Sequence, residues 1–259
     1  MSERLRWLVR PSLRGASLLL AFEGWNDAGS AASSAVRFVD DSIQSVPLAE
    51  IDCEEFYDFT VARPTVRMEG GSSRVVEWPD LRLRYGAVDA SRDLVTGCAI
   101  EPHLHWRWFA KTCLELVRSL RLERVVLLGA YLADVVYSRP VRVTGFASDP
   151  VLLERIGVTG SGYEGPTGIV GVLGDAFRSH DVEVVSLWAG LPHYISASPN
   201  PRGSLALVQK LIELLDVRFD TTGLVREAAR FEEQVSALVA ADPELGEYVR
   251  QLKKREFAQ

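Results

Sequence analysis

Acidic, amide, aromatic and imidazole side chains lie in loops that follow apolar runs of this sequence. Glu23, Asn26 and Asp27 come directly after the run from Leu18 to Phe22, which is typical of a strand buried on both faces. Carboxylates and an imidazole can act as general acids and bases, and carboxylates or amides can bind ribose hydroxyl groups. The residues that could form such a crevice are Glu23, Gly24, Trp25, Asn26, Asp27, Tyr163, Glu164 and His193.

The same side chains also have a structural interpretation, which is the more common one for these residue types in loops. Asp and Asn accept hydrogen bonds from nearby backbone N–H groups, so Asn26 or Asp27 is well placed to cap the helix that follows. His193, in a predicted loop at residues 188–194, can bond to backbone in a similar way. Capping and turn formation are therefore favoured, and a ligand crevice is the alternative.

Common catalytic and metal-binding motifs are missing from the sequence. It contains no GxxxxGK[ST] phosphate loop, no GxSxG nucleophile elbow and no HExxH metal motif. His103 and His105 are two positions apart in a predicted helix, so they point about 200° apart and cannot share a metal ion there. We expect no metal and no cofactor, and the lack of catalytic motifs leans against an enzyme.

Composition narrows the class of protein further. The chain has 259 residues with a formal net charge of −6, which argues against general binding to nucleic acid or to anionic membranes. Its three cysteines, Cys53, Cys98 and Cys113, are sparse and odd in number, as expected of reduced thiols in the cytoplasm. No apolar run approaches the ~20 residues that span a bilayer, and the start lacks a signal-peptide core. We expect a cytoplasmic protein.

A repeated pattern of elements would position the candidate side chains. A buried strand, a loop and a helix recur from Leu18, from Val125 and from Val182, which predicts an α/β fold. Hairpin patterns between them, including residues 65–68 and 74–78, indicate a mixed sheet. The predicted core domain is 1–219. In open α/β folds the ligand crevice lies beyond the carboxyl ends of the strands, where the loop 24–29 is expected.

The last part of the chain has a different pattern. Residues 220–259 are predicted to form a helical hairpin, restarted at Asp242 and Pro243, that packs on the core or on a neighbouring subunit. Apolar residues in its first helix follow alternating spacings of four and three, as in a seam between helices. The candidate interface residues are Leu224, Ala228, Phe231, Val235 and Leu238.

Seven short stretches together carry a resemblance to a known family. The chain resembles the bacterial branch of the proteasome assembly chaperone 2 family from about residue 17 to residue 215. The extension 220–259 is similar to that of the family's long bacterial members. The matching stretches are AFEGWNDAG at 21–29, FTVARP at 59–64, EPHLHWR at 101–107, LGAYLADV at 128–135, RPVRVTG at 139–145, YEGPTG at 163–168 and LPHY at 191–194.

The resemblance implies both a fold and a mode of action. The fold would be a three-layer α/β/α arrangement with a mixed, largely parallel sheet, similar to nucleoside phosphorylases, plus the C-terminal helical hairpin. The protein would be a non-enzymatic homo-oligomer, a trimer first and a dimer next, that acts through protein–protein contacts with partners such as proteasome subunits. The alternative is a nucleoside-phosphorylase-like ligand-binding protein or hydrolase that uses the crevice, because a shared fold does not fix function.

Overall fold

The computed structural model describes residues 4–71 and 73–257 of the chain. Within these residues the strands are β1 (Leu5–Trp7), β2 (Ser17–Glu23), β3 (Val46–Ile51), β4 (Thr65–Glu69), β5 (Ser73–Glu77), β6 (Leu81–Ala87), β7 (Asp93–Ile100), β8 (Arg124–Ala133), β9 (Val143–Ala147), β10 (Thr159–Gly160) and β11 (Glu183–Pro192). The helices are α1 (Ala31–Ser42), α2 (Trp106–Leu120), α3 (Val151–Arg155), α4 (Ile169–Arg178), α5 (Pro201–Leu215), α6 (Thr222–Ala241) and α7 (Pro243–Phe257).

Nine of the strands form one mixed sheet in the order β1-β3-β6-β7-β2-β8-β11-β9-β10. The central strands β7, β2, β8 and β11 are parallel, whereas β6, β3 and β1 continue the sheet in antiparallel pairs on one side. On the other side β9 pairs antiparallel with β11. The prediction of an α/β fold with a mixed sheet is confirmed, with its parallel part at the centre.

Helices cover both faces of this sheet because the central strands are apolar on both faces. In β2, Leu18, Leu20 and Phe22 pack on one side with residues of α2 and α4, whereas Leu19 and Ala21 pack on the other side with residues of α1 and α5. Side chains alternate between the faces of a strand, so a continuous apolar run supplies two cores at once. This arrangement gives the three layers.

The strands β4 and β5, hereafter the arm, form a separate two-stranded sheet. They are inserted between β3 and β6, at the edge where the four central strands end, because β6 runs antiparallel to β7 and pairs Arg82 with Cys98. We refer to this side of the sheet as the carboxyl edge. It therefore carries the arm as well as the loops that follow β2, β7, β8 and β11.

Two predicted boundaries were wrong. The strand β11 continues to Pro192, through the first five of the seven residues of the loop predicted at 188–194, because it stays paired with β8 as far as Pro192 opposite Ala133. The helix predicted to contain His103 and His105 begins after them, at Trp106. After β3 ends at Ile51, the chain turns so that the N–H of Phe56 donates to the carbonyl of Cys53. Both of these side chains remain buried.

The predicted C-terminal hairpin is present as α6 and α7. On α6, the predicted interface residues Leu224, Ala228 and Val235 are buried within the chain itself, whereas Phe231 is half-buried and Leu238 is 58% exposed. A contact of this seam with a second chain stays a prediction. Within the described residues, none of the helices is both long and apolar enough to cross a membrane.

Candidate functional site

Exposed apolar side chains are concentrated at the carboxyl edge. Of the nineteen large hydrophobic side chains exposed in the described residues, twelve lie in the arm, at strand ends, in loops or in the first turn of α2 at this edge. Apolar patches of this kind mark interaction surfaces in soluble proteins. We name these twelve the apolar edge surface: Trp25, Val61, Val66, Met68, Val76, Trp78, Ile100, Leu104, Trp108, Tyr131, Leu132 and Tyr163.

Backbone hydrogen bonds hold the loop after β2 in a fixed shape. The N–H of Asp27 donates to the carbonyl of Gly24 at 3.1 Å, and the N–H of Ala130 in β8 donates to the carbonyl of Asn26 at 2.8 Å. Between these bonds, Trp25 is 61% exposed. The loop therefore presents a tryptophan to solvent on a rigid support, although indole rings are usually buried.

Asp27 is the cap of α1, as one of the two residues predicted for that role. Its Oδ1 accepts from the N–H groups of Ala32 at 2.7 Å and Ser33 at 3.3 Å. The residue is 7% exposed, and burial raises the pKa of its carboxyl above the usual range, against the opposing effect of these N–H donors. Its ionised form is thus costly in the folded protein.

The raised pKa of Asp27 predicts the sign of a pH effect on stability. The carboxyl favours the folded state most below its unfolded pKa of about 3.8, and this contribution is lost as the pH rises through the higher folded value. The free energy of unfolding of the wild type, relative to Asp27→Asn, is therefore expected to fall as the pH rises above about 4. Urea unfolding across this range measures the difference.

Asp58 provides a control of opposite sign. Bonds from Thr60 lower the pKa of its carboxyl, so its contribution is present above the unfolded pKa and is lost as the pH falls through the lower folded value. The wild type relative to Asp58→Asn is expected to gain stability as the pH rises. If the stability of the wild type relative to each Asn variant changed with pH in the same direction, the raised pKa assigned to Asp27 would be contradicted.

Glu101, at the end of β7, was missed as a site residue. Its Oε1 accepts from Asn26 Nδ2 and from the N–H of Ile169, both at 2.7 Å, so it ties the loop after β2 to the first turn of α4. Asn26 is fully buried, and its Oδ1 is a buried polar atom without a hydrogen-bond partner in the described part of the chain. This oxygen lies against Gly168, the residue before α4.

The remaining members of the predicted crevice lie apart from this buried group. Glu23 forms an exposed ion pair with Arg37. Tyr163 and Glu164 are exposed in the loop before α4, where the Tyr163 hydroxyl donates to the carbonyl of Pro166 at 3.0 Å. The side chains of Asn26 and Asp27 are thus engaged inside the protein, whereas these three face solvent.

His193 lies at the end of β11, in contact with the C-terminal hairpin. Its Nδ1 is 3.1 Å from Asp134 Oδ1, and the Tyr248 hydroxyl of α7 donates to the same oxygen at 3.2 Å. The rings of His193 and Tyr248 meet edge to face at 5.6 Å. Beside them Val136 is buried with Val249 and Leu252 of α7. The final helix thus packs on the ends of β8 and β11.

A cavity of about 300 Å³ lies at the opposite edge, where the central strands begin, but its two arginines are bonded to the end of α5: Arg92 donates to Asp216 O at 2.8 Å and Arg124 to Leu214 O at 3.2 Å. Within the described residues no three His, Cys, Asp or Glu side chains are grouped to hold a metal ion. His103 Nδ1 instead accepts from the N–H of Asp58 at 3.1 Å.

Comparison with known proteins assigns the chain to a family. The model of the PAC2 family matches residues 21–239. A crystal structure of a PAC2 family protein from Streptomyces avermitilis is 44% identical, with a TM-score of 0.84, over 90% of this chain and 99% of that one. A proteasome-assembly chaperone homologue from Mycobacterium tuberculosis is 39% identical, with a TM-score of 0.82 and the same coverage.

A more distant structure shares the fold alone. Pyrococcus furiosus PbaB, an archaeal proteasome activator, is 17% identical with a TM-score of 0.71, over 90% of this chain and 97% of that one. None of the curated proteins compared with the chain matches it. The extent of the family match, together with the two relatives at 44% and 39% identity, shows that the chain belongs to the PAC2 family.

Proposed function

We propose that this chain is a non-enzymatic, oligomeric, cytoplasmic protein that acts through protein–protein contacts at the apolar edge surface. The observation that carries the proposal is the position of that surface. It occupies the carboxyl edge, where an open α/β enzyme would bind its ligand, and exposed apolar area there favours a protein partner over a polar small molecule.

The class of partner is proposed from a relative. The protein from Mycobacterium tuberculosis that is 39% identical is described as a proteasome-assembly chaperone homologue. Proteasome subunits are therefore the first partners to test. The net charge of −6 supports a protein partner rather than nucleic acid.

The two parts of the chain have separate roles in this proposal. We assign residues 1–219 to the core domain that carries the apolar edge surface, and residues 220–259 to the extension. The contact of Tyr248 with Asp134 and His193 supports a role for α7 in bracing the ends of β8 and β11. On α6, Leu238 and Phe231 are the members of the predicted seam that retain exposed surface for an oligomer contact.

The alternative, a nucleoside-phosphorylase-like ligand-binding protein or hydrolase, requires the eight candidate residues to face one crevice. Asp27 and Asn26 are engaged in buried contacts instead, and His193 contacts α7. A thermal-shift screen with nucleosides, nucleotides and phosphate tests this alternative, because a ligand that binds the native state raises the unfolding midpoint. A shift that Asp27→Ala combined with His193→Ala abolishes would favour the enzyme.

Substitution of the apolar edge surface tests the proposed function. Trp25→Ser combined with Leu132→Ser is expected to weaken binding to purified proteasome α subunits by about 30-fold, because tryptophans at an interface often contribute 2 kcal/mol or more. Phe146→Ser, which changes an exposed residue of β9, is the matched control. Biolayer interferometry measures the affinity. Equal binding by the wild type and the double variant would contradict the proposal.

A further inference from the structure

The arm lacks the packing that a two-stranded sheet needs. All residues of β4 are exposed, and those of β5 are exposed or half-buried. The two strands pair only with each other among the described strands. An isolated two-stranded hairpin is marginally stable in water, and it gains stability when a hydrophobic face packs on another element. The arm therefore has a face available for a further contact.

The register of the arm separates an apolar face from a polar one. Val66 is opposite Val76, and Met68 is opposite Arg74, so these four side chains share a face that Trp78 continues. The apolar members of this face are 44–62% exposed. On the other face, Arg67 contacts Glu77 at 2.7 Å and Glu69 at 3.7 Å. The polar face has its own ion pairs, whereas Val66, Met68 and Val76 of the apolar face remain exposed. Trp78, beyond β5, meets the ring of Phe59 at 5.0 Å and keeps 44% of its surface exposed.

Arg74 gives the apolar face a positive charge. A negatively charged side chain, Glu164, lies beside an exposed aromatic ring elsewhere on the carboxyl edge. Arg74 has no ion-pair partner in the described part of the chain, and the same is true of Glu164. Glu164 follows the exposed Tyr163 in the loop before α4. Each of the two surfaces thus combines aromatic or aliphatic side chains with one exposed charge, and the charges are opposite.

A single chain holds these two surfaces at different positions along the carboxyl edge. The arm emerges between β3 and β6, whereas the loop 163–168 leads into α4, whose first residue, Ile169, is bonded to Glu101 after β7. Within the described residues of one chain, Arg74 and Glu164 form no ion pair with each other. A contact between the apolar face of the arm and the surface around Glu164 would therefore form between two chains. In a dimer both contacts form reciprocally, and in a trimer each arm contacts the next chain around a ring.

We propose that the arm of one copy docks its apolar face on the loop 163–168 and Trp25 of a second copy, with Arg74 paired to Glu164. This contact rests on the proposed function, because it assigns part of the apolar edge surface to self-association. A stable interface takes about 800 Å² from each partner. Aromatic side chains bury about 150–250 Å² when fully covered, and Trp78, Trp25 and Tyr163 are 44–66% exposed, so their exposed parts contribute to that area.

Charge reversal and its compensation test this contact. Arg74→Glu and Glu164→Arg are each expected to weaken self-association by about tenfold, because each places like charges opposite one another. The variant with both changes is expected to return to the wild-type association constant, since the pair is restored in reverse. Sedimentation velocity over a concentration series measures the mass and the constant, and circular dichroism checks the fold of each variant.

Cross-linking provides a second, geometric measurement. A protein with Met68→Cys mixed with a protein with Tyr163→Cys is expected to give a covalent pair with a short bismaleimide, because the two positions face each other. Val75→Cys, on the polar face of the arm, replaces Met68→Cys in the control and is expected to give at least tenfold less product.

Several outcomes would overturn the docking contact. These are a monomeric wild type at all concentrations, single variants that associate as the wild type does, or a double variant that stays weak. Binding to proteasome α subunits, measured on the same variants, separates this failure from that of the proposed function. If Arg74→Glu leaves self-association unchanged while Trp25→Ser with Leu132→Ser still weakens partner binding, only the docking contact is rejected.

Discussion

Gly168→Ala is expected to destabilise the folded chain by about 2–4 kcal/mol, although it adds a single methyl group. That group would overlap Asn26 Oδ1 and would lie 2.7 Å from Glu101 Oε1. Both side chains are held in place because Asn26 Nδ2 and the N–H of Ile169 donate to Glu101 Oε1, so neither side chain can move without breaking the link between β2, β7 and α4. Urea denaturation, read as the change in the free energy of unfolding, measures the effect.

Gly162→Ala is the matched control for this substitution. Gly162 lies in the same glycine-rich segment, and a methyl group there would have no neighbour within 4 Å. Its backbone is also outside the left-handed region, so alanine adds no strain. A change below about 0.5 kcal/mol is expected. Equal effects of the two alanines would show that the Asn26–Glu101–Gly168 contact is not a rigid point of the fold.

Phe109→Ala is expected to cost about 3–5 kcal/mol, the range for removal of a buried aromatic ring. Phe109 of α2 is fully buried, and its ring meets Phe22 edge to face at 5.8 Å and Phe56 at 5.2 Å. These contacts join a central strand, a helix and the turn after β3. Because the carbonyl of Phe56 accepts from His103 and Leu104, loss of the ring would also loosen the carboxyl edge.

Trp108→Ala, at the preceding position, is the control for this core substitution. Trp108 is 49% exposed and stacks on His105 with ring centroids 4.7 Å apart, so its removal leaves no internal cavity. A loss below about 1 kcal/mol is expected. Guanidinium denaturation of both variants compares them directly. If Phe109→Ala cost no more than Trp108→Ala, the aromatic cluster could not be the link proposed between these elements.

The sequence predicted elements well where a single run of residues determines them. The continuous apolar runs of β2, β8 and β11 predicted strands buried on both faces, and the structure has them at the centre of the sheet. The end of β11 was wrong because its last residues stay in the sheet only by pairing with the last residues of β8. That pairing depends on a strand far away in the chain, which local patterns do not describe.

In the candidate site, too, features set by neighbouring residues were predictable, whereas contacts between distant residues were not. A cap by Asn26 or Asp27 was predictable from their positions before a helix, and the structure assigns it to Asp27. Glu101 was missed because its partners, Asn26 and Ile169, are distant in sequence and meet it only in the folded chain. The available signals were its position directly after an apolar run and at the start of the family-matching stretch 101–107. Residue types predicted where polar groups would lie, but not which of them would meet.

The central position of β2 has a consequence for how the chain folds. Its neighbours are β7 and β8, which begin at Asp93 and Arg124, so neither side of β2 can be completed by a local turn. Folding of sheets with such distant pairings is slow, on the order of milliseconds to seconds. Until β8 arrives, the bond from Ala130 that fixes the loop around Trp25 is absent. During that interval the nascent chain is most exposed to aggregation, and it needs protection then more than after folding.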